Sequence, residues 1–374
     1  MKIVLAPDSF KESITATEAT EGMKSGILKV DKNIEILELP MADGGEGTLK
    51  AIILANSGEF HEKMVNSPLK EKVLAKFGSY KDTIVIEMAE ASGLALVDRT
   101  KRDPSYLTTY GTGELIKEAL DRKAKNIIIT LGGSATNDGG VGILKALGVV
   151  FLDKYKNELD DGGLPLKNLH KIDFTNLDKR IFEADIIVAC DVNNKLLGNE
   201  GASYVFGPQK GASLSLVKEL DEALENFSRV VHEQLDLDLN EIVGGGAAGG
   251  TGASIIGILK GRMKRGIDVV IESSGFKDRI KGADYIFTGE GGIDGQTILG
   301  KTIYGIAREG KKQGIPVIAF AGKVSPECSN LYAEGLSAVF CINKEATTLE
   351  VALKSTKENL ELAVENVMRL IMLK

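Results

Sequence analysis

The side chains of this sequence that could do chemistry gather in short loops, where glycine stands beside carboxylates, hydroxyls and lysines. APDSFK (6–11) places Asp8, Ser9 and Lys11 directly after an apolar run. A carboxylate there can take a proton or a metal, and the lysine can neutralise an anion; Asp and Ser also cap helices well, which is the plainer reading. In MADGGEGT (41–48), Gly44 and Gly45 let backbone amides approach an oxyanion at a helix start. Asp43 and Glu46 would repel a bare phosphate and instead suit magnesium, which takes carboxylates, water and substrate phosphate. An acidic first helical turn is the alternative.

LGGSATNDGG (131–140) packs Gly132, Gly133, Ser134, Thr136, Asn137 and Asp138 into one loop, a density of small donors suited to a triphosphate or a carboxylate. Asp191, at the end of an apolar run, could hold a metal or act as a base, and Lys210 after a Gly-Pro turn could screen phosphate charge. Either could equally be an ordinary surface residue. GGGAAGGTGA (244–253) carries no charge and could pack its backbone against a nucleotide or make a tight helix–helix contact. Residues 295–302, GQTILGKT, match the P-loop pattern letter by letter. That pattern wants a strand running straight into the first glycine. Here the apolar run stops near Thr288 and a polar loop intervenes, so the match reads as partly coincidental. Lys301 remains a good phosphate partner, and Glu290 and Asp294 remain metal or base candidates.

Other chemistries find little support. His61, His170 and His232 lie outside these loops, and neither a Ser/His/Asp set nor H-E-x-x-H is present. Net charge is -7 with no basic run, which argues against nucleic acid as a partner. No apolar stretch has the length a membrane helix needs. The three cysteines are scattered and fit a reduced cytoplasm. Glycine, at 43 of 374 residues, is about half again as frequent as in an average chain, and its clustering marks loops rather than disorder.

The elements that must position these loops follow from periodicity. Residues 2–6 and 34–39 read as strands, with helices over 16–29 and roughly 46–55. That is a βαβ opening, the mark of a parallel sheet. From about Gly58 the pattern changes to short strands at 59–65, 71–77 and 83–88 without helices between them, which predicts antiparallel pairing. Strands at 126–131 and 184–190 and helices near 111–123, 139–147 and 212–235 follow. The first pattern returns after Ala283, with strands at 285–289, 315–322 and 337–342 and helices at 301–313 and 348–371. The expected fold class is therefore α/β: a flavodoxin-like parallel-sheet domain built from both chain ends (1–57 and 281–374), interrupted by an inserted mixed α/β domain (58–280). Ligands of such sheets bind beyond the carboxyl ends of the strands. The amphipathic last helix could serve the core or a homo-oligomer interface.

Taken in order, APDSFKES (6–13), ADGGEGT (42–48), EMAEASGL (87–94), GGSATNDGG (132–140), CDV with FGPQKGA (190–192, 206–212), GGGAAGG (244–250) and TGEGGIDGQT with GK (288–301) resemble the bacterial glycerate kinase family over nearly the whole chain. The family's usual Asn-Pro step after CDV is Asn194–Lys195 here. The resemblance implies transfer of the ATP γ-phosphoryl group to D-glycerate, mostly at the 2-hydroxyl, with Mg2+. On that reading Lys11 holds the substrate carboxylate, beside Asp8, Ser9, Asp43, Gly44 and Gly45. Asp191, or second Asp294, handles the hydroxyl proton; Asp43 and Asp191 hold the metal. Residues 132–138, Lys210 and Lys301 cradle the ATP phosphates. The rivals are a phosphatase or isomerase of a small phosphorylated acid, and a non-catalytic nucleotide or anion sensor.

Overall fold

A computed structural model describes every residue except Gln296, Ile298, Leu299 and Lys374. The chain opens with β1 (Lys2–Leu5), α1 (Ala16–Leu28), β2 (Glu35–Glu38) and α2 (Thr48–Ala55). The middle holds β3 (Glu59–Asn66), β4 (Lys72–Tyr80), β5 (Thr83–Glu87), α3 (Tyr110–Asp121), β6 (Asn126–Thr130), α4 (Val141–Ala146), β7 (Val150–Leu152), β8 (Lys171–Asp173), β9 (Asp185–Ala189), α5 (Leu214–Leu235) and β10 (Arg262–Lys264). It closes with α6 (Gly266–Ser273), β11 (Tyr285–Ile293), α7 (Thr302–Gln313), β12 (Val317–Val324), β13 (Leu336–Cys341) and α8 (Thr356–Ile371).

These elements form two compact units, Met1–Asn56 with Arg265–Lys374, and Ser57–Lys264. The first unit has one parallel sheet in the order β13-β12-β11-β1-β2. Renumbered within the unit, this is the flavodoxin-like order 2-1-3-4-5, whose switch point lies between β1 and β11. Ile3, Val4 and Leu5 are wholly buried, as a central parallel strand covered on both faces requires. Phe287 meets Phe320 edge-on at 5.5 Å on one side of the sheet. On that side α1 packs along α8, where a Cβ on Gly26 would stand 2.4 Å from the Glu361 carbonyl oxygen, so only glycine allows the approach. Helix α1 starts in a reciprocal cap: the Glu18 amide donates to the Thr15 hydroxyl and the Thr15 amide to the Glu18 carboxylate.

Several expectations are corrected. The last helical stretch is broken at Ser355; of its apolar residues Leu360, Val364, Val367 and Met368 are core, while Val351 is exposed. The second junction between units falls at 264/265 rather than 280/281. Residues after 264 join the first unit because Ile267 packs where Gly305 of α7 leaves room, and the Asn56 side chain donates to the Ser273 carbonyl at 2.8 Å. Strand β11 does not end near Thr288 but runs to Ile293, since Gly292 and Ile293 still pair with Lys323 and Val324. The GQTILGKT match therefore begins two residues after a strand, although Gln296, Ile298 and Leu299 of it lie outside the described residues.

The second unit has a six-stranded sheet, β10-β9-β6-β5-β4-β3, antiparallel from β3 to β5 and parallel beyond. Strands β7, β8 and β10, three residues each, were not anticipated. Its core is rich in Ile and Leu, with Phe151 and Phe227 in tilted contact at 6.3 Å. No helix among the described residues is long and apolar enough to cross a membrane.

Candidate active site

The first unit gathers its reactive groups where the strand order of its parallel sheet reverses. The β1–β11 pairing continues past the strand: the Ala6 amide donates to the Phe287 carbonyl and the Asp8 amide to the Gly289 carbonyl, at 2.7 and 2.8 Å. Asp8 is thereby carried to the carboxyl end of the central strand, and it is only 7% exposed. Its two carboxylate oxygens are held separately, one by the Ser9 amide at 2.6 Å and one by the Thr302 hydroxyl at 2.5 Å. Burial, and then the Asp43 carboxylate, push its pKa up to about 7.

Glu290, near the end of β11, is also buried and accepts from the Thr297 hydroxyl at 3.1 Å. The same hydroxyl accepts the Asp294 amide at 3.2 Å. Burial pushes Glu290 up to about 8; the positive charge of Lys301 opposes this, and the charges of Asp8 and Asp43 reinforce it. Three carboxylates thus feel one another at the strand ends, with Lys301 at the head of α7.

Asp43 follows β2, whose tail is tied to β1 by the Met41 amide donating to the Pro7 carbonyl. Its loop corrects one expectation. The Gly44 amide donates to the Thr48 hydroxyl and the Gly45 amide to the Asp43 carboxylate, so both amides are engaged inside the loop rather than aimed at an oxyanion. The loop is also pressed from behind: a Cβ on Gly266 would stand 1.8 Å from the Asp43 carbonyl oxygen. Lys11 is exposed, Ser9 and Asp294 are half-buried, and the Lys11 backbone lies beside Gly291 of β11.

The second unit carries a separate polar cluster at the end of β6. Residues 132–140 are clamped by the Leu94 amide donating to the Gly133 carbonyl and the Ala135 amide donating to the Ser92 carbonyl. Asp138 is turned inward, a correction to its expected contact with nucleotide. Its oxygens accept the Thr109 amide and hydroxyl, both at 2.8 Å, and the amides of Gly140 and Gly142. Burial raises its pKa and these donors oppose the rise. Lys210 is likewise drawn inward rather than presented to a phosphate. It is 2% exposed, and its ammonium donates to the Ser134 hydroxyl at 2.9 Å and the Thr136 carbonyl at 2.7 Å. Burial pulls its pKa down to about 7, with Asp138 opposing. The hydroxyls of Thr130 and Thr136 and the side-chain oxygen of Asn137 are buried and meet no protein partner among the described residues.

The GGGAAGG segment packs on this loop. The Gly139 amide donates to the Gly249 carbonyl at 3.0 Å, and a Cβ on Gly249 would lie 2.0 Å from the Thr136 carbonyl oxygen. Its glycines thus serve a backbone-to-backbone contact. Asp191 follows β9 and is exposed. The neighbouring Cys190 thiol is pushed up to about 11 by burial, which makes it a poor nucleophile. The turn that lacks the Asn-Pro step is tied by the Asn194 side chain donating to the Glu200 carbonyl at 2.8 Å.

Asp8, Asp43, Asp294 and Lys301 thus share the first unit, whereas Asp191, Lys210 and residues 132–138 belong to the second. Thr302 and Gly266 were missed. Thr302 was visible only as the last letter of GQTILGKT, and nothing in a single sequence distinguishes Gly266 from the other glycines.

A family model described as the glycerate kinase family matches residues 3–372, across both units. The chain belongs to the glycerate kinase family. Glycerate kinase from Bacillus cereus is 46% identical over 98% of this chain and 97% of its own length. Glycerate 2-kinase from Escherichia coli is 43% identical over the same shares. A solved glycerate kinase 2 from Salmonella typhimurium LT2 superposes with a TM-score of 0.88 at 43% identity, covering 99% of this chain and 98% of that one. The family model and these relatives take in the elements that carry both buried polar clusters.

Proposed function

We propose that this chain transfers the γ-phosphoryl group of ATP to the 2-hydroxyl of D-glycerate, giving 2-phospho-D-glycerate and ADP. The observation that carries the reading is the family match across both units, with a glycerate 2-kinase among the relatives. The geometry supports it independently. Phosphoryl transfer needs positioning and charge control rather than covalent chemistry, and the chain offers hydrogen-bonded loops and buried carboxylates, with no activated nucleophile among the described residues.

In this reading glycerate sits at the strand ends of the first unit, with its carboxylate on Lys11 and its hydroxyls near Asp8, Ser9 and Asp43. Asp191, or second Asp294, accepts the hydroxyl proton in this reading. Residues 132–137 and Lys301 take the nucleotide phosphates. Mg2+ fits the donor set: the charge of Asp43 acts on both Asp8 and Glu290, and a divalent cation would relieve that repulsion. Among the described residues no group of three or more ligating side chains forms a ready cage. That is in keeping with a metal that takes one or two carboxylates plus water and phosphate. Asp43 is the candidate ligand in the first unit and Asp191 the candidate in the second, and the ion would neutralise charge on the phosphates. A reducing cytoplasm suits the three free thiols. Assembly into a homo-oligomer is compatible with the exposed Leu362, Leu370 and Leu373 on and just after α8.

The test is ADP release by the purified protein. It should require D-glycerate and Mg2+ together; release that is independent of D-glycerate overturns the reading.

A further inference from the structure

The segment 134–137 combines features that a purely structural core would avoid. The Thr136 hydroxyl and the Asn137 side-chain oxygen are buried and meet no protein partner among the described residues, and an unmatched buried polar atom costs free energy. Beside them lies an almost wholly buried lysine, whose charged form is also costly to bury. Well-packed apolar residues would fill such a space more favourably.

The same segment is gripped from two directions by one stretch of chain. The helix Ala202–Phe206 holds Ser203, whose hydroxyl accepts from the Asn137 side-chain amide at 2.9 Å. The turn that follows delivers Lys210 to Ser134 and to the Thr136 carbonyl. That turn is closely constrained. The Lys210 amide donates to the Gly207 carbonyl, and Gly211 has φ of 98°, where a Cβ would lie 2.1 Å from the Arg102 carbonyl oxygen. Lys210 therefore reaches inward from a fixed base, and its ammonium is spent on the loop.

We propose that Lys210 is a positioning residue for the nucleotide: it holds Ser134 to Asn137 in the shape that receives ATP phosphate, and it does not itself touch ATP. The proposal rests on the kinase reading above. It gives the costly lysine and the unmatched oxygens one shared purpose, a polar segment kept rigid for a ligand.

The test uses the full chain and measures ATP binding by calorimetry, apart from turnover. Lys210→Met keeps the length of the side chain and removes its donors. It should weaken ATP binding about ten- to a hundred-fold, the range expected for a lost hydrogen bond from a charged group. The dissociation constant for D-glycerate should stay within about two-fold. Unchanged ATP binding would leave Lys210 a purely structural residue and overturn the proposal. Equal weakening of ATP and D-glycerate would mean general loss of fold and would overturn it too.

A second measurement separates positioning from contact without any variant. Acetic anhydride labelling of the wild type, read by mass spectrometry, should modify exposed Lys11 and leave Lys210 unmodified both with and without ATP. Labelling of Lys210 in the free protein that ATP suppresses would make it a phosphate contact and overturn the proposal. If the wild type binds no ATP at all, it is the kinase reading that fails, a result distinct from wild-type binding that Lys210→Met leaves intact.

Discussion

Replacing Glu290 with Gln should make the free protein more stable at pH 8 and leave it almost unchanged at pH 5. Burial lifts the carboxyl from its ordinary 4.5 to about 8. Below pH 4.5 the residue is protonated in both folded and unfolded chains and contributes no pH dependence. Between 4.5 and about 8 the unfolded chain loses the proton and the folded chain keeps it, so stability falls as pH rises through this window. At about 1.4 kcal/mol per pH unit the whole window is worth up to roughly 5 kcal/mol. Asp8, raised from 3.8 to about 7, adds a slope of the same sign at lower pH.

Gln keeps an oxygen for the Thr297 hydroxyl and removes the titration. At roughly 2–4 °C per kcal/mol for a unit of this size, the variant should melt on the order of 10 °C above wild type at pH 8. The assay is thermal or urea unfolding from pH 5 to 8.5 with EDTA and without nucleotide, since bound metal would neutralise the site. Parallel pH curves for the two proteins would refute the claim that Glu290 is a buried acid holding its proton.

Further substitutions test other parts of the site. Asp8→Asn should raise the KM for D-glycerate about ten- to a hundred-fold, as expected for loss of a hydrogen bond to a charged group, without lowering the melting temperature; a KM within about two-fold of wild type would remove Asp8 from the substrate site. Gly266→Ala must displace the Asp43–Gly44 peptide. It should cost about 1–3 kcal/mol in unfolding experiments, as overpacking does, and should weaken glycerate binding; a silent variant would show that the loop tolerates the shift. Asp191→Asn should raise the Mg2+ concentration needed for half-maximal rate, and an unchanged requirement would take Asp191 out of the metal site.

The flavodoxin-like unit was legible because both chain ends carry the same alternation of buried strand and amphipathic helix, and β1 is apolar enough to declare itself central. The inserted unit was legible only in outline. Strands β7, β8 and β10 are too short to show a period, and the helix after 264 joins the first unit through packing of Ile267 that no local pattern announces. In the site, the glycine loops announced where polar groups gather but not which way they face. Asp138 and Lys210 look like ligand contacts in a linear reading, because charge beside glycine suggests exposure. Tertiary packing turned both inward, onto hydrogen-bond partners within the second unit. The reverse holds for Asp8 and Glu290, whose raised pKa values arise from burial and from charges distant in sequence.

The most direct test of the account is phosphorus NMR of the product formed from ATP, Mg2+ and D-glycerate. The account predicts the resonance of 2-phosphoglycerate growing in step with ADP. Accumulation of 3-phosphoglycerate would contradict the assigned hydroxyl, and inorganic phosphate in place of either ester would contradict the kinase reading itself.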